Sequence, residues 1–140
     1  MELELADTSV WTTRRRDAAV SQDFEARLVG GRIATCAMVK LELLWETQDA
    51  DAFRRRRERL DALVDLPIGP AVWQRAVDVF EALAAAGPLR HRRVKLPDLL
   101  VAAAAELAEV PLCHYDGDFE LIAAATGQPV RAMAPLGSLS

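Results

Sequence analysis

The sequence predicts an α/β fold in which a small central, mainly parallel sheet is flanked by helices on both sides. Three observations lead there. Short apolar strand candidates recur along the chain, and longer amphipathic stretches separate them. Those stretches are long enough to serve as the crossovers that parallel neighbours require. With 140 residues and 51% hydrophobic content, the chain suits one domain, residues 1–140, with a real core.

Leu3-Glu4-Leu5-Ala6 alternates as a strand and ends at Asp7-Thr8-Ser9, where Ser or Thr would cap a helix starting at Val10-Trp11. A second amphipathic helix over 18–29 stops at Gly30-Gly31. Residues 32–35 are extended or looped. A helix over 37–47 follows, with Met38, Leu41, Leu44 and Trp45 at helical spacing, and another runs over about 50–64. Residues 66–70 form a turn or brief strand, and Pro70 restarts a helix whose apolar side carries Val72, Trp73, Ala76, Val77 and Phe80, closed by Gly87-Pro88. The basic loop 90–95 leads to Pro97, suited to the first turn of a helix reaching about Glu109. A short buried strand over 111–115, a helix over 118–126 and a strand over 130–133 complete the series.

Composition narrows the function classes. The longest apolar run, residues 99–105, is too short to cross a bilayer, and the first residues lack the basic-then-apolar pattern of a secretory signal, so a cytoplasmic protein is expected. Cys36 and Cys113 lie far apart without metal-ligand spacing and read as reduced, packed thiols; with only two histidines besides, a zinc site is not expected. A net charge of −4 speaks against coating nucleic acid through global charge, although a cleft can be locally positive. Lys40 and Lys95 are the only lysines. Arginine's planar fork suits phosphate, though the Ala, Arg, Leu and Val usage also fits GC-rich coding.

Five acidic residues stand out against this layout. Asp7 and Asp116 each follow the carboxyl end of an apolar strand, the edge where open α/β sheets form ligand sites, although Asp7 would serve equally as a turn or cap residue. Glu42 has Met38, Val39 and Trp45 three or four residues away on its helix, where a carboxylate needs a partner unless its head reaches water. Asp98 stands in the first turn of the Pro97 helix, where an aspartate also complements the helix dipole by about 0.3 to 1 kcal/mol. Asp116-Gly117-Asp118-Phe119 joins a strand to a helix, and Gly117 leaves the backbone free to aim two carboxylates into one space. Acids that converge in a low dielectric must protonate or share a cation. All-oxygen ligands favour Mg²⁺ or Mn²⁺ over zinc.

Asp7-Thr8-Ser9-Val10-Trp11, Met38-Val39-Lys40-Leu41-Glu42-Leu43-Leu44, Lys95-Leu96-Pro97-Asp98-Leu99-Leu100-Val101-Ala102-Ala103, His114-Tyr115-Asp116-Gly117-Asp118-Phe119 and Thr126-Gly127-Gln128-Pro129 follow in that order. Together they resemble a PIN domain, and more narrowly a VapC-type toxin, over nearly the whole chain. The resemblance implies an endoribonuclease in which Asp7, Glu42, Asp98 and Asp116 hold one or two Mg²⁺ or Mn²⁺ ions, with Asp118 a further ligand or support. It implies in-line attack of an activated water on an RNA phosphodiester. Thr8 matches the hydroxyl residue the family often places beside its first aspartate, and a helix cap is the other reading. Arg92, Arg93 and Lys95, in the loop entering Asp98, are candidate RNA phosphate contacts. Arg54 with Glu58 and Arg57 with Asp61 have the spacing of ordinary helix pairs. The resemblance further implies a homodimer neutralised by a VapB-like antitoxin, with DNA engaged only indirectly through that antitoxin. Phe24 and Leu28, or Leu60 and Val64, would offer its groove, and core packing explains them equally.

Two other classes compete. One is a catalytically silent PIN-like interaction module whose acids are structural. The other is a metal-dependent phosphatase of the haloacid-dehalogenase type, but that motif needs a second aspartate two positions after the first, where this chain has Ser9. A receiver domain lacks its expected lysine after a later strand.

Overall fold

The computed structural model describes residues 2–139. Five strands, β1 (Glu4–Ala6), β2 (Ile33–Cys36), β3 (Val64–Leu66), β4 (Leu112–His114) and β5 (Val130–Ala132), pair in the order β3-β2-β1-β4-β5, every pair parallel. The chain therefore winds outward from β1 first one way and then the other, and the reversal falls between β1 and β4. Their register sets Leu5 opposite Leu112 and Ala6 opposite Cys113. Neighbouring strands that diverge in their connections leave a crevice beyond their carboxyl ends.

Seven helices make the crossovers: α1 (Thr8–Thr13), α2 (Ala18–Val29), α3 (Ala37–Trp45), α4 (Ala50–Asp61), α5 (Pro70–Ala86), α6 (Leu96–Leu107) and α7 (Gly117–Thr126). The pleat sends successive strand residues to opposite faces, so each strand feeds two cores. Ala6, Ile33 and Cys113 pack with Val10 of α1 and Phe24 of α2. Leu5, Ala34 and Leu112 pack on the other face with Val39, Val79, Val101 and Phe119 of α3, α5, α6 and α7. α6 is the most deeply placed helix, with every residue from Asp98 to Ala105 buried. A run of alanines suits that position, since small side chains let a helix sit close to its neighbours on all sides.

Capping explains where the helices begin. Aspartate carboxylates at positions 7, 17, 49 and 116 accept backbone N–H groups at the starts of α1, α2, α4 and α7. Gly127, at φ 75°, closes α7 in the left-handed conformation that glycine adopts without steric cost.

The structure departs from the sequence reading in four places. The cap of α1 is Asp7 itself, and Thr8 and Ser9 are already helical. α4 ends at Asp61, and Val64 opens β3 instead of closing the helix. The basic segment before α6 carries a short 3₁₀ turn at Arg90–Arg93. Arg54 pairs with Asp51, not Glu58, while Arg57 does pair with Asp61, at 3.4 Å. Residues 32–35, left between extended and looped, are mostly strand, because Ile33 and Ala34 bury on opposite faces.

An Ala105→Leu substitution forces extra volume into a position with no exposed surface and should cost about 1 to 3 kcal/mol. Ala124→Leu, on the exposed side of α7, should stay within about 0.5 kcal/mol of the parent. Urea unfolding of the two variants measures the contrast, and equal stabilities would contradict the packing assigned to α6.

Candidate functional site

The acids collect at the β1/β4 reversal. Asp7 directly follows β1; its Oδ2 accepts the Ser9 N–H at 2.9 Å, while its buried Oδ1 has no hydrogen-bond partner. Asp116, two residues past β4, is built the same way: Oδ1 accepts the Asp118 N–H at 2.9 Å and Oδ2 accepts from Lys95 Nζ at 2.8 Å. Each strand end thus spends one carboxylate oxygen on a helix cap and keeps the other for a different partner.

Asp98, only 4% exposed, comes from the first turn of α6, and its Oδ2 is also a buried oxygen accepting no hydrogen bond. Asp98, Asp116 and Asp118 each offer a carboxylate oxygen within 4.8 Å of the others. The Lys95 ammonium stands among them, 2.8 Å from Asp116, 3.0 Å from Asp118 and 3.5 Å from Asp98. The Lys95 backbone N–H also donates to Asp118 Oδ2, at 2.9 Å. Glu42 arrives from α3, and its Oε1 accepts the Thr8 hydroxyl at 3.0 Å.

The protonation pattern follows from this crowding. Burial, the Asp118 carboxyl beside it and the charge of Asp7 push Asp98 up to about 8. Burial opposes ionisation of Asp118, yet the Asp98 carboxyl and both Lys95 donors hold it below the usual carboxylate range. Asp7 is raised chiefly by burial, against the hydrogen bond from Ser9. Glu42 is raised by burial and by the charge of Asp7, against the Thr8 hydroxyl. Lys95 is held above its ordinary value because Asp116 and Asp118 outweigh its own desolvation.

A hard cation fits this donor set. The groups are all oxygen, two buried carboxylate oxygens lack a hydrogen-bond partner, and an ammonium already sits among three of the acids as a stand-in cation. The structure brings Asp98, Asp116 and Asp118 into one cluster; Asp7 and Glu42 stand outside that group of three, with Asp7 near enough for its charge to raise both Asp98 and Glu42. Thr8 is bonded to Glu42. The Lys95 ammonium bonds to the cluster while its side chain stays 62% exposed, and Arg92 and Arg93 are exposed on the preceding turn without ion pairs among the described residues. Burial pushes the Cys36 thiol up to about 11 and the Cys113 thiol up to about 12, which leaves both unreactive.

Sequence reading missed two supports. The Ser9 hydroxyl accepts the Tyr115 N–H at 2.9 Å, tying the chain after β1 to the chain after β4. His114, fully buried, accepts the Asp116 N–H at Nδ1 (3.1 Å), so Nε2 carries the ring proton and donates to Glu120 at 3.0 Å. Neither residue repeats at a telling spacing; only their adjacency to Asp7 and Asp116 could have marked them.

Comparison with known proteins agrees with the geometry. The chain matches the PIN domain over residues 5–125. It is 38% identical to Ribonuclease VapC18 of Mycobacterium tuberculosis over 133 residues, covering 95% of this chain and 96% of that protein. Ribonuclease VapC21 of the same organism is 39% identical over 121 residues, 86% of each chain. Among solved structures, a VapBC-5 complex of the VapBC toxin-antitoxin family, also from Mycobacterium tuberculosis, superposes with a TM-score of 0.59 at 25% identity, covering 94% of this chain and 98% of that one.

Because the folded protein prefers Asp98 protonated and the unfolded chain does not, this group's stabilising contribution is whole below about pH 4 and is lost as pH rises toward about 8. Asp98→Asn keeps an N–H donor for Asp118 and removes that loss. In chelator, its melting temperature should exceed the parent's by several degrees at about pH 8, with the gap closing by about pH 4. A gap that is constant across pH, or reversed at the alkaline end, would show that Asp98 is not the strained acid.

Proposed function

The chain belongs to the PIN domain family, and from that premise we propose that it is a divalent-metal-dependent endoribonuclease acting as the toxin of a toxin-antitoxin pair. The observation that carries the proposal is the cluster of Asp98, Asp116 and Asp118 at the reversal of the sheet, with Asp7 at the neighbouring strand end, where Asp7 and Asp98 each keep a buried oxygen that accepts no hydrogen bond. Glu4, a buried acid with a structural role, is met by two arginines, whereas these two oxygens are left without a donor.

Asp98, Asp116 and Asp118 would hold Mg²⁺ or Mn²⁺, with Asp7 and Glu42 completing the donor set. Bound there, such an ion supplies activation of water and neutralises charge building on the phosphodiester. The chain's own residues do the rest. Thr8 fixes one oxygen of Glu42 and leaves the other available to orient or accept a proton from water. Ser9, with the His114–Glu120 pair, holds the backbone on both sides of the crevice, so the carboxylates keep their spacing as RNA enters. Lys95 serves as the resident counter-charge of the cluster, within reach of a phosphate brought to it, and exposed Arg92 and Arg93 attract the strand toward the same edge.

The relatives named VapC and the VapBC-5 complex support a VapB-like antitoxin as partner; a homodimeric toxin that meets DNA only through that antitoxin is part of the same proposal. A cytoplasmic setting accords with a reducing compartment for two free buried cysteines, and no helix among the described residues is long and apolar enough to cross a membrane.

Purified protein incubated with total cellular RNA should produce defined new ends in Mg²⁺ or Mn²⁺ and none after chelation. Asp98→Asn should lower the cleavage rate by roughly 100-fold or more while remaining folded. Cleavage that survives chelation, or equal rates for the two proteins, would defeat the assignment.

A further inference from the structure

A second concentration of charge lies at the far end of α1. Between α1 with the turn that follows it and α3 with α4 there is a cavity of about 250 Å³. Arg14, Arg15, Arg56 and Arg59 line it, with Trp11 on its wall. Its single carboxylate, Glu46, is 3.5 Å from Arg56. Arg14 is paired with Glu25 and lies over the Trp11 ring, yet its Nε and the Trp11 Nε1 are buried donors without an acceptor. Arg15 and Arg59 are exposed and make no ion pair among the described residues. On a chain of net charge −4, this is a cavity with positive charge and hydrogen-bond donors in excess.

The cavity shares Glu46 with a second hollow, which reaches Thr8 and Glu42. Met38, Leu41 and Trp45 form the apolar wall of that hollow. α1 begins at Thr8, bonded to Glu42, and reaches the arginines after roughly 9 to 10 Å at 1.5 Å per residue. A crowd of carboxylates repels a polyanion, so a strand presented there needs a cationic anchor close by.

Resting on the nuclease reading above, we infer that the arginine cavity is a phosphate subsite, taking a phosphodiester of the same single RNA strand whose neighbouring linkage meets the acids. Guanidinium forks match phosphate oxygens two at a time, and partly apolar walls strengthen those bonds by excluding water. An acidic peptide segment offers carboxylates to the same forks but has no reason to extend along the hollow into a carboxylate cluster.

The test compares Arg15→Gln/Arg59→Gln with Arg54→Gln/Arg57→Gln, whose arginines pair with Asp51 and Asp61 on α4. All four positions are exposed, so both variants should fold, which circular dichroism verifies. Fluorescence anisotropy of a short labelled oligouridylate, in chelator and over a salt series, reads affinity. The cavity variant should bind about tenfold more weakly at low salt, and its plot of log affinity against log salt should be flatter by about 1.4, two phosphates at about 0.7 each. The control pair should match wild type. Equal losses in both variants, or an unchanged slope in the cavity variant, overturn the subsite. So does weakened binding of a co-expressed antitoxin with oligouridylate binding intact, which assigns the cavity to an acidic peptide. Wild-type protein that cleaves RNA while the two variants bind alike removes only the subsite; wild-type protein that neither binds nor cleaves removes the nuclease reading with it.

Discussion

Carboxylates gathered in a partly dry crevice repel one another strongly, and the fold here is organised around making that tolerable. It uses three devices at once. Two aspartates lend an oxygen to backbone N–H groups at helix starts, Asp98 retains a proton, and the Lys95 ammonium sits against Asp98, Asp116 and Asp118. None of these removes the strain completely, since Asp7 Oδ1 and Asp98 Oδ2 still accept no hydrogen bond. Under the proposed nuclease reading, a site left in that condition would gain free energy from a hard cation, the instability of the acids becoming affinity for the ion.

The sheet order is what makes such crowding possible from distant parts of the sequence. Asp7 and Asp116 are more than a hundred residues apart, but β1 and β4 are neighbours, and each strand ends by turning straight into a helix capped by its own aspartate. The Ser9 hydroxyl bridges the two turns, which keeps the carboxylates from drifting apart as the crevice fills. α6 contributes from above because its alanine-rich body can be buried entirely, so the aspartate in its first turn enters with the helix. Positioning here is therefore a property of rigid elements and not of mobile loops, which suits a reaction sensitive to small displacements.

Much of this was legible in the residues. Periodicity found the helices and most strands because apolar spacing directly records which face is buried, and the fold class followed from strand and helix alternation. The exact caps were harder. Asp7, Thr8 and Ser9 are all good capping residues, and only the geometry shows that Asp7 caps while the Thr8 hydroxyl goes to Glu42 and Ser9 to Tyr115. Val64 was absorbed into the preceding helix because an edge strand of three residues leaves too short a pattern to separate from a helix end. That the Lys95 ammonium bonds to the acids is not legible, because nothing in a sequence tells which way a flexible side chain turns. Its commitment to three carboxylates depends on long-range contacts with α7 and the loop after β4.

Glu4 and Asp7 show why burial alone is a poor guide to function. Both are acids of the first strand or its end, and both are nearly inaccessible, at 6% and 3% exposure. Glu4 lies between Arg27 at 2.9 Å and Arg131 at 2.7 Å, so its charge is answered permanently by guanidinium groups. Asp7 has no arginine, only a backbone donor on one oxygen. A chain with fifteen arginines and two lysines had the means to neutralise every buried acid. It applies arginine to the acid that holds β1 to α2 and β5, and answers those at the crevice with backbone N–H groups and the exposed ammonium of Lys95. Buried acids of similar exposure are therefore told apart by the identity of their partners.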